Sequence, residues 1–406
     1  PIADGAREAA LPHTFVWRKP LGVLDGRRPD VVVVTGWWLA AQLEACPAPL
    51  VVDLAGSVLL EFLAQDPAKA ARLAPHKLEA LAAADFVTCA SERQRHYFQP
   101  WLLLGGFTPD DCLTRCAAVR ISCDPDLPAH APPAAEPRFV YSGMALAWQD
   151  PLPALEATLA VLERRGRGRL DLYTGYHPVH SRGADWYGRL EAWAAGRERV
   201  ALHGLLPYDD LLAVYRRSDA AVDLFPRTLE RELAFNTRTV DYLHSGVAPI
   251  YGDYTELAAL IRAYDAGFTV DPADPARLTA AVEMALDCPD RLLARRRNAQ
   301  RLAREELAWD RTIAPLAAFC AAPTKRAAGP LAAAMFVPDA ARDPAEDAAR
   351  AAELAALREH AARVTAEWEA KNRHIAQLEA ELARWHRRPW RRALRQTLAR
   401  VRRGGS

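Results

Sequence analysis

Short continuous apolar runs alternate with segments of helical periodicity between residues 29 and 320. Such runs are typical of strands buried on both faces of a parallel sheet, and the segments between them are typical of crossover helices. The runs predict four strands in the first half and six in the second: 31–34, 50–53, 86–89 and 117–121, then 139–142, 170–174, 199–203, 220–224, 248–251 and 268–270. The chain is therefore predicted to be α/β, with two Rossmann-like parallel sheets. We expect the valine run at 31–34 to be buried on both faces.

A proline-rich stretch separates the two halves. Residues 123–137 hold five prolines and show no apolar periodicity, so we predict a linker at 125–137 between domains at 1–124 and 138–321. Four strands are few for a complete doubly wound domain, and the chain begins at Pro1 without Met. Either a missing first βα unit or a naturally shortened domain would explain this. Residues 322–350 are rich in Ala and Pro, and we expect a disordered linker there.

The end of the chain has two further patterns. Apolar residues recur at the a and d positions of a heptad over 351–388, which predicts a coiled coil and, through it, a homo-oligomer. A single helix lying on the second domain is the alternative. In 389–406, four apolar residues share one helical face among arginines: Trp390, Leu394, Leu398 and Val401. This predicts a basic amphipathic tail for an anionic membrane surface, with a solvated end of the coiled coil as the alternative.

Composition and charge narrow the function classes. Half of the 406 residues are hydrophobic and a quarter are charged, which is ordinary for a soluble globular protein. No apolar run is long enough to span a bilayer. Residues 386–406 hold eight arginines and no acid, so the net charge of +1 leaves the rest of the chain acidic. An acidic body without a basic or aromatic groove argues against a nucleic-acid partner.

The seven cysteines point to a reducing compartment. Their number is odd and no secretory signal is present, which indicates cytosolic thiols. Cys112, Cys116 and Cys123 form the only cluster, and their spacing matches no zinc or iron–sulfur pattern. We therefore expect buried structural thiols and no bound metal. His177 and His180 have no partner at metal spacing and are expected at the surface.

Residues 219–252 hold the densest group of candidate site residues. A buried strand is followed by a loop with Glu230 and Glu232, and then by a polar helix start at 236–239. The short helix carries Asp241 and ends at Gly246 before a second strand. This is a βαβ unit, and open α/β sheets bind ligands at the carboxyl ends of their strands.

This unit and its neighbours resemble GT-B glycosyltransferases, and in particular the large retaining family 4 group. The segments that carry the resemblance are 139–143 (FVYSG), 203–207 (HGLLP) and 241–250 (DYLHSGVAPI). The resemblance covers about residues 30–320 and is strongest over 199–271. It implies two Rossmann-like domains facing across a cleft: an acceptor domain at 1–124 and a nucleotide-sugar donor domain at 138–321. The C-terminal helical region would be an extension of that fold.

The resemblance also implies roles for individual residues. Asp241 would accept the ribose hydroxyls, and Glu230 or Glu232 would face the donor sugar. The helix start would bind the diphosphate through free N–H groups, helped by Arg238. The remaining positions predicted to contact the nucleotide are Gly143, His203, Gly204, Leu205, Asn236, Thr237 and Thr239.

Two departures from the family pattern affect the phosphate site. Many members place Arg and Lys just after the first strand of the donor domain, whereas residues 144–150 hold no base. In addition, eight residues separate Glu232 from Asp241, and the second acid of the motif is Asp rather than Glu. Most of the charge compensation at the phosphates would therefore fall on Arg238.

The acceptor half offers fewer candidates. Asp53 lies at a strand end near Gly56, where it could orient an acceptor, although a helix-capping aspartate is the alternative. Trp37 and Trp38 could stack on a sugar, but filling of the core is favoured.

Together these features predict a retaining glycosyltransferase that uses a nucleotide-sugar as co-substrate, without a metal or other cofactor. Its acceptor would be a glycan or a lipid-linked sugar in bacterial O-antigen, capsule or exopolysaccharide synthesis. It would be cytoplasmic, at the inner face of the cell membrane if the tail binds there. The alternatives are a catalytically impaired GT-B scaffold that assembles a synthesis complex through its coiled coil, and a sugar-nucleotide epimerase of GT-B fold.

Overall fold

The computed structural model describes residues 28–327, apart from 41–42, 44–45, 55, 133, 135, 147 and 177–185. All of these residues belong to one compact unit. The expected coiled coil at 351–388 and the tail at 389–406 lie outside the described residues, and so do His177 and His180. The structure therefore tests the two α/β halves, but not the extension.

The first half contains a parallel sheet whose strands follow one another in the order β1-β2-β3-β4. Its elements are β1 (Val32–Thr35), α1 (Trp37–Ala40), β2 (Leu50–Leu54), α2 (Val58–Gln65), α3 (Pro67–Ala83), β3 (Phe86–Cys89), α4 (Glu92–Leu104), α5 (Pro109–Thr114) and β4 (Cys116–Ala118). All four predicted strands are present. The register pairs Thr35 with Asp53 and Asp53 with Thr88, so these residues share the carboxyl edge of the sheet.

The prediction that the first valine run is buried on both faces was wrong. β1 alternates between partly buried and exposed positions, and Val33 is 44% exposed. The physical reason is the position of β1 at the end of the strand order among the described residues, where it pairs only with β2. Its β-branched residues therefore reflect strand propensity rather than burial on both faces.

The second half contains a six-stranded parallel sheet in the order β10-β9-β8-β5-β6-β7. Its elements are β5 (Arg138–Ala145), α6 (Leu152–Arg165), β6 (Arg169–Tyr176), α7 (Trp186–Ala194), β7 (Val200–Leu202), α8 (Tyr208–Tyr215), β8 (Ala220–Asp223), α9 (Leu229–Leu233), α10 (Thr237–His244), β9 (Ala248–Gly252), α11 (Glu256–Tyr264), β10 (Phe268–Val270) and α12 (Pro275–Asp287). The six predicted strands are confirmed. The strand order reverses direction beside β5, and that is where open sheets of this kind bind ligands.

A helical return path follows α12. It consists of α13 (Pro289–Leu302), a π-helical turn (Ala303–Leu307), α14 (Trp309–Thr312) and α15 (Ala314–Ala321). The chain leaves helical geometry at Ala308, which pairs with Cys123 in a parallel β-bridge, and the Trp309 amide donates to the Cys123 carbonyl at 3.0 Å. The linker and the return path therefore cross between the halves side by side.

A buried arginine ties the linker to the second sheet. The side chain of Arg296 in α13 is fully buried. It donates to an Asp219 carboxylate oxygen at 2.8 Å, and to the carbonyls of Gly246 and Ala131 at 2.9 Å each. Asp219 precedes β8 and Ala131 lies in the linker, so one guanidinium connects three segments that are distant in sequence.

The two halves also touch directly through the start of α4. Ser91 caps this helix by accepting from the Gln94 amide at 3.1 Å. The Gln94 side chain donates to the Leu233 carbonyl at 2.9 Å, and the Arg93 amide donates to Glu256 at 3.0 Å. These contacts bring the carboxyl edge of the first sheet close to the α9 region of the second half.

The expectation of a disordered linker at 322–350 was wrong for its first residues. Arg326 donates to the carbonyls of Ala82 and Gly106, each at 2.7 Å, and its guanidinium lies 4.2 Å from the centre of the Phe107 ring. Lys325 donates to the Cys46 carbonyl at 2.7 Å. Carbonyls at helix ends need donors, and Arg326 supplies them at the ends of α3 and α4. The composition of the segment, in which Ala and Pro dominate, did not indicate these side-chain contacts.

The expected burial of Cys112, Cys116 and Cys123 is confirmed. All seven cysteines are free thiols, and five of them are buried. Within the described residues, no helix is both long and apolar enough to cross a bilayer.

Candidate functional site

The candidate site lies where β8 ends and α10 begins. The predicted loop between them contains one short helix, α9, which starts because the Thr228 side chain accepts from the Arg231 amide at 3.2 Å. Glu230 and Glu232 are therefore helical residues rather than loop residues. They point to different partners, which the sequence could not decide.

Glu230 is the acid that faces the interior. It is 7% exposed and accepts two hydrogen bonds from Arg231, at 2.6 and 2.7 Å. Arg231 also donates to the Asn236 side chain at 3.0 Å. Glu232, in contrast, pairs with the exposed Arg227 at 2.7 Å. Glu230 therefore belongs to a buried cluster of polar side chains that includes Arg231 and Asn236, whereas Glu232 does not.

Asp223 is a central member of this cluster that the sequence analysis missed. It ends β8 and is 1% exposed. One carboxylate oxygen accepts from the Thr239 hydroxyl and from the Asn236 amide at 3.3 Å. The other oxygen has no hydrogen bond and lies 3.5 Å from the Arg238 Nε. An acid at the end of an otherwise apolar strand was the available signal.

Arg238 uses most of its donors on the protein. It donates to the Ser142 carbonyl at 2.7 Å, to the Gln149 side-chain oxygen, and to the Tyr141 hydroxyl at 3.5 Å. With the Asp223 contact, these bonds hold the β5–α6 loop against α10. The side chain thus braces the loop that would enclose the phosphates.

Gly143 makes this arrangement possible. Its φ is +142°, and a Cβ at this position would lie 2.1 Å from the Arg238 Nη1. Any side chain here would displace the guanidinium in addition to straining the backbone. The predicted site glycine is therefore required for the approach of Arg238 to β5.

We expect Gly143→Ala to shift Arg238 and to destabilise the fold by about 1–3 kcal/mol, since positive φ and a steric clash combine. Urea denaturation measures this change. Gly188→Ala in α7 is the matched control, because nothing lies within 4 Å of a Cβ there. Equal stability of the two variants would contradict the described packing.

The first turn of α10 presents its backbone amides without a side-chain cap. Asn236 occupies the N-cap position, but its side chain makes no capping bond, since it is engaged by Arg231 and Asp223. The N–H groups of the first turn, including those of Thr237 and Arg238, have no intrahelical acceptor by geometry. A helix start of this kind at the end of a parallel sheet binds anions.

Asp241 lines a cavity, and Arg238 is not among the residues that line it. Its carboxylate accepts from the Tyr208 hydroxyl at 2.9 Å. Burial raises the pKa of Asp241, against the opposing effects of the Tyr208 hydrogen bond and the His244 charge. The cavity has a volume of ≈ 470 Å³ and is lined by Ser122, Cys123, Asp124, Asp126, Pro128, Tyr208, Leu212, Arg216, Asp241, His244 and Trp309. Ten of these residues were not predicted.

The segment predicted to line the base borders an open surface. His203 stacks on Tyr173 with ring centres 4.6 Å apart, and its Nε2 lies 3.0 Å from Asp171. Gly204 has a φ of +73° with open space beside it, and Leu205 is 47% exposed. The segment leads through Pro207 into α8, whose first residue is the Tyr208 that contacts Asp241.

In the first half, Asp53 lies at the carboxyl edge without capping a helix. It accepts from the Thr88 hydroxyl at 2.8 Å, whereas the N-cap position of α2 is Ser57. Burial raises the pKa of Asp53. Trp37 is in the core, as expected, but Trp38 is 38% exposed. The expectation that both indoles fill the core is therefore wrong for Trp38.

Glu61 is a second acid of this edge that the sequence analysis missed. Burial, and then the charge of Glu230, raise its pKa from 4.5 to about 7, against the opposing charge of Arg231. The pKa of Glu61 therefore depends on the charges of two residues of α9, in the other half of the protein. In the sequence it is one acid in an amphipathic helix, so no local pattern distinguished it.

This pKa predicts a specific dependence of stability on pH. The folded protein binds the Glu61 proton more tightly than the unfolded chain, so its contribution to stability falls as the pH rises from 4.5 to about 7. We expect Glu61→Gln to gain up to ~3 kcal/mol over the wild type across this window. Urea denaturation at several pH values measures the difference. A difference in the free energy of unfolding that does not change with pH would contradict the raised pKa of Glu61.

The described residues contain no group of three or more His, Cys, Asp or Glu side chains that could hold a metal ion.

No protein-family model matches the sequence, and no curated protein sequence matches it either. Solved structures do. Sucrose-phosphate synthase from Thermosynechococcus elongatus is 17% identical with a TM-score of 0.56, covering 76% of this chain and 80% of that one. Trehalose-6-phosphate synthase from E. coli, bound with UDP-2-fluoro glucose, is 14% identical with a TM-score of 0.57, covering 75% and 76%.

A third similar structure is S. aureus TarM in complex with fondaparinux, alpha-GlcNAc-glycerol and UDP. It is 9% identical with a TM-score of 0.53, and the match covers 71% of this chain but 55% of TarM. These three proteins are GT-B glycosyltransferases. At such identities the likeness establishes the fold, so the predicted GT-B fold is confirmed.

Proposed function

We propose that the protein is a glycosyltransferase that moves a sugar from a nucleotide-sugar to a glycan or lipid-linked acceptor, with retention of anomeric configuration. The observation that carries the proposal is the geometry around α10. Its uncapped first turn lies at the carboxyl edge of the second sheet of a GT-B fold, and Asp241 one turn later opens into a cavity. Anion-binding amides followed by a hydroxyl acceptor suit a nucleoside diphosphate.

Each part of the donor has a candidate partner. The amides of residues 236–239 would bind the diphosphate, and Asp241 would accept the ribose hydroxyls. The base would lie along His203, Gly204 and Leu205. Glu230, held by Arg231, would face the donor sugar.

The chemistry follows from this placement. Amides fixed by the fold stabilise the charge that develops on the leaving phosphate, and they need no reorganisation during the reaction. Arg238 would act as a positioning residue, because its bonds to Ser142 and Gln149 fix β5 and the loop after it, which would enclose the phosphates. Retaining transfer of this type would not require a carboxylate pair spaced as in a glycosidase.

The finer assignments extend the same proposal. They comprise membership of the retaining family 4 group, a role in bacterial O-antigen, capsule or exopolysaccharide synthesis, and a cytoplasmic location at the inner membrane face. Attachment to anionic lipid through residues 389–406 and self-association through 351–388 also remain predictions, since both segments lie outside the described residues.

One observation favours a second candidate, a catalytically impaired scaffold. Most donors of Arg238 are bonded to protein groups, and the described residues of the 144–150 segment include no cation. Charge compensation for a diphosphate is therefore weaker than in a site with two free basic side chains. A scaffold would keep the fold without binding nucleotide.

Isothermal titration of the full chain with UDP, GDP, ADP and dTDP separates the two candidates. The proposed enzyme binds at least one of them with a Kd in the micromolar to millimolar range, about −4 to −8 kcal/mol. Absence of measurable binding by all four would rule out the glycosyltransferase and leave the scaffold.

A further inference from the structure

Gln94 connects the first half of the protein to the helix that carries Glu230. Its side chain is fully buried in the first turn of α4. The side-chain oxygen accepts from the Ala90 amide at 2.9 Å, and the side-chain nitrogen donates to the Leu233 carbonyl at 2.9 Å. Because only the oxygen can accept from an amide, the Ala90 contact directs the nitrogen towards Leu233.

The Leu233 carbonyl lies at the end of α9. This helix has five residues, which are too few for a stable helix in isolation, so its position depends on contacts with its surroundings. The last carbonyl of a helix has no donor within the helix. Gln94 supplies that donor from the other half of the protein, and it therefore caps the C-terminus of α9.

The chain before α9 is held from the same place. The Tyr254 hydroxyl donates to the Phe225 carbonyl at 3.1 Å, and the Tyr254 carbonyl accepts from the Arg93 guanidinium. Arg93 immediately precedes Gln94 in α4. The segment from Phe225 to Leu233 is thus held at its end by Gln94 and at its beginning, through Tyr254, by Arg93.

Glu230 lies inside this segment. Two hydrogen bonds join it to Arg231, and both side chains are buried, so the position of the carboxylate follows that of α9. The start of α10, in contrast, is held to β8, since the side chains of Asn236 and Thr239 donate to Asp223. A displacement of α9 would therefore affect the carboxylate more than the amides of α10.

We propose that Gln94 is a positioning residue for the donor sugar. It acts through Glu230, by fixing from the first half the short helix that carries this carboxylate. The inference rests on the proposed function, in which Glu230 faces the sugar and the start of α10 binds the diphosphate. The nucleotide then depends on contacts within the second half, whereas the sugar depends on both halves.

Titration of Gln94→Met with nucleotides and nucleotide-sugars tests the inference. Methionine is similar in size to glutamine, but it cannot donate to the Leu233 carbonyl. The probes are UDP, GDP, ADP and dTDP, together with UDP-glucose, GDP-mannose, ADP-glucose and dTDP-glucose. The affinity for the nucleotide that binds best should stay within about threefold of wild type, whereas the affinity for its nucleotide-sugar should fall about tenfold or more.

Gln300→Met is the matched control. Gln300 also donates from its side chain to carbonyls, those of Pro128 at 2.7 Å and His244 at 3.1 Å, neither of which belongs to α9. This variant should lose stability, as Gln94→Met does, but should keep the wild-type ratio of the two affinities. Urea denaturation of both variants measures the stability losses, so a general destabilisation is separated from an effect on the sugar.

Gln94→Glu is a second variant that tests the inference even if Gln94→Met does not fold. A carboxyl group keeps the acceptor for the Ala90 amide, but it donates to Leu233 only while it is protonated. Between about pH 5 and 9, the affinity for the nucleotide-sugar relative to wild type should therefore start near one and fall about tenfold as the introduced group ionises. Glu61 titrates in both proteins, so its effect cancels in this comparison.

Three results would overturn the inference: equal losses of nucleotide and nucleotide-sugar affinity in Gln94→Met, a relative affinity of Gln94→Glu that does not change with pH, or nucleotide binding by the wild type without binding of any nucleotide-sugar. Titration of the wild type with the four nucleotides distinguishes the failures. Retained nucleotide binding confines the failure to Gln94, whereas its absence would contradict the proposed function itself.

Discussion

Replacing Arg296 with methionine is expected to lower the free energy of unfolding by about 3–5 kcal/mol, the largest stability effect that the structure predicts. The substitution leaves the Asp219 carboxylate buried, 2% exposed, without its cation. It also removes the donors that satisfy the carbonyls of Gly246 and Ala131. Unpaired buried groups of this kind account for most large destabilisations. Urea denaturation of the purified variant measures the loss.

An exposed arginine provides the matched control. Arg164 pairs with Glu283 at 3.0 Å, and its side chain is 54% exposed, so Arg164→Met should change stability by less than about 1 kcal/mol. Adding Asp219→Asn to Arg296→Met should restore part of the loss, because it removes the unpaired charge. If Arg296→Met were as stable as Arg164→Met, the linker would not depend on this arginine.

Replacing Asp241 with asparagine is expected to weaken nucleotide binding by about 10- to 100-fold, as when hydrogen bonds to a charged group are lost. An amide accepts more weakly than a carboxylate, and its NH₂ group cannot accept from ribose at all. The fold should remain, because asparagine is near-isosteric and the Tyr208 hydroxyl can still donate to its oxygen. Isothermal titration with the nucleotide that binds the wild type best measures the effect.

Asp210→Asn is the control for Asp241→Asn. Asp210 is an exposed acid in the first turn of α8 that does not line the cavity. The Asp210→Asn substitution removes one negative charge from α8, the helix whose Tyr208 contacts Asp241. A general electrostatic effect would therefore weaken nucleotide binding in both variants. Equal affinities for the two variants would place the ribose elsewhere.

Much of the fold could be predicted from the pattern of apolar runs. Strands that are buried on both faces, such as β8 and β9, are continuous apolar runs in the sequence, which distinguishes them from the helical segments around them. The valine run of β1 looks the same, yet its burial depends on its place in the strand order, and a single strand does not encode that place. The 322–327 segment was missed for a similar reason, because Arg326 packs through side-chain bonds to distant carbonyls.

The candidate site could be predicted in part. Residues that follow one another in the sequence, such as the α10 start and Asp241, were found because a local motif marks them. Asp223 and Glu61 were not predicted, because their place in the site depends on contacts with residues of other helices. Arg238 was found, but its partners were not: only the structure shows that Ser142 and Gln149 occupy the donors expected for phosphate.

Whether Asp241 binds the ribose of a nucleotide is decided by a coupling measurement between Asp241 and the ribose hydroxyls. The nucleotide that binds best is titrated against wild type and Asp241→Asn, and its 2′,3′-dideoxy analogue against the same two proteins. Loss of the hydroxyls is expected to weaken binding to the wild type but to have little further effect on the variant, with a coupling of at least about 1.4 kcal/mol. Independent, additive losses, or no nucleotide binding at all, would contradict this role of Asp241.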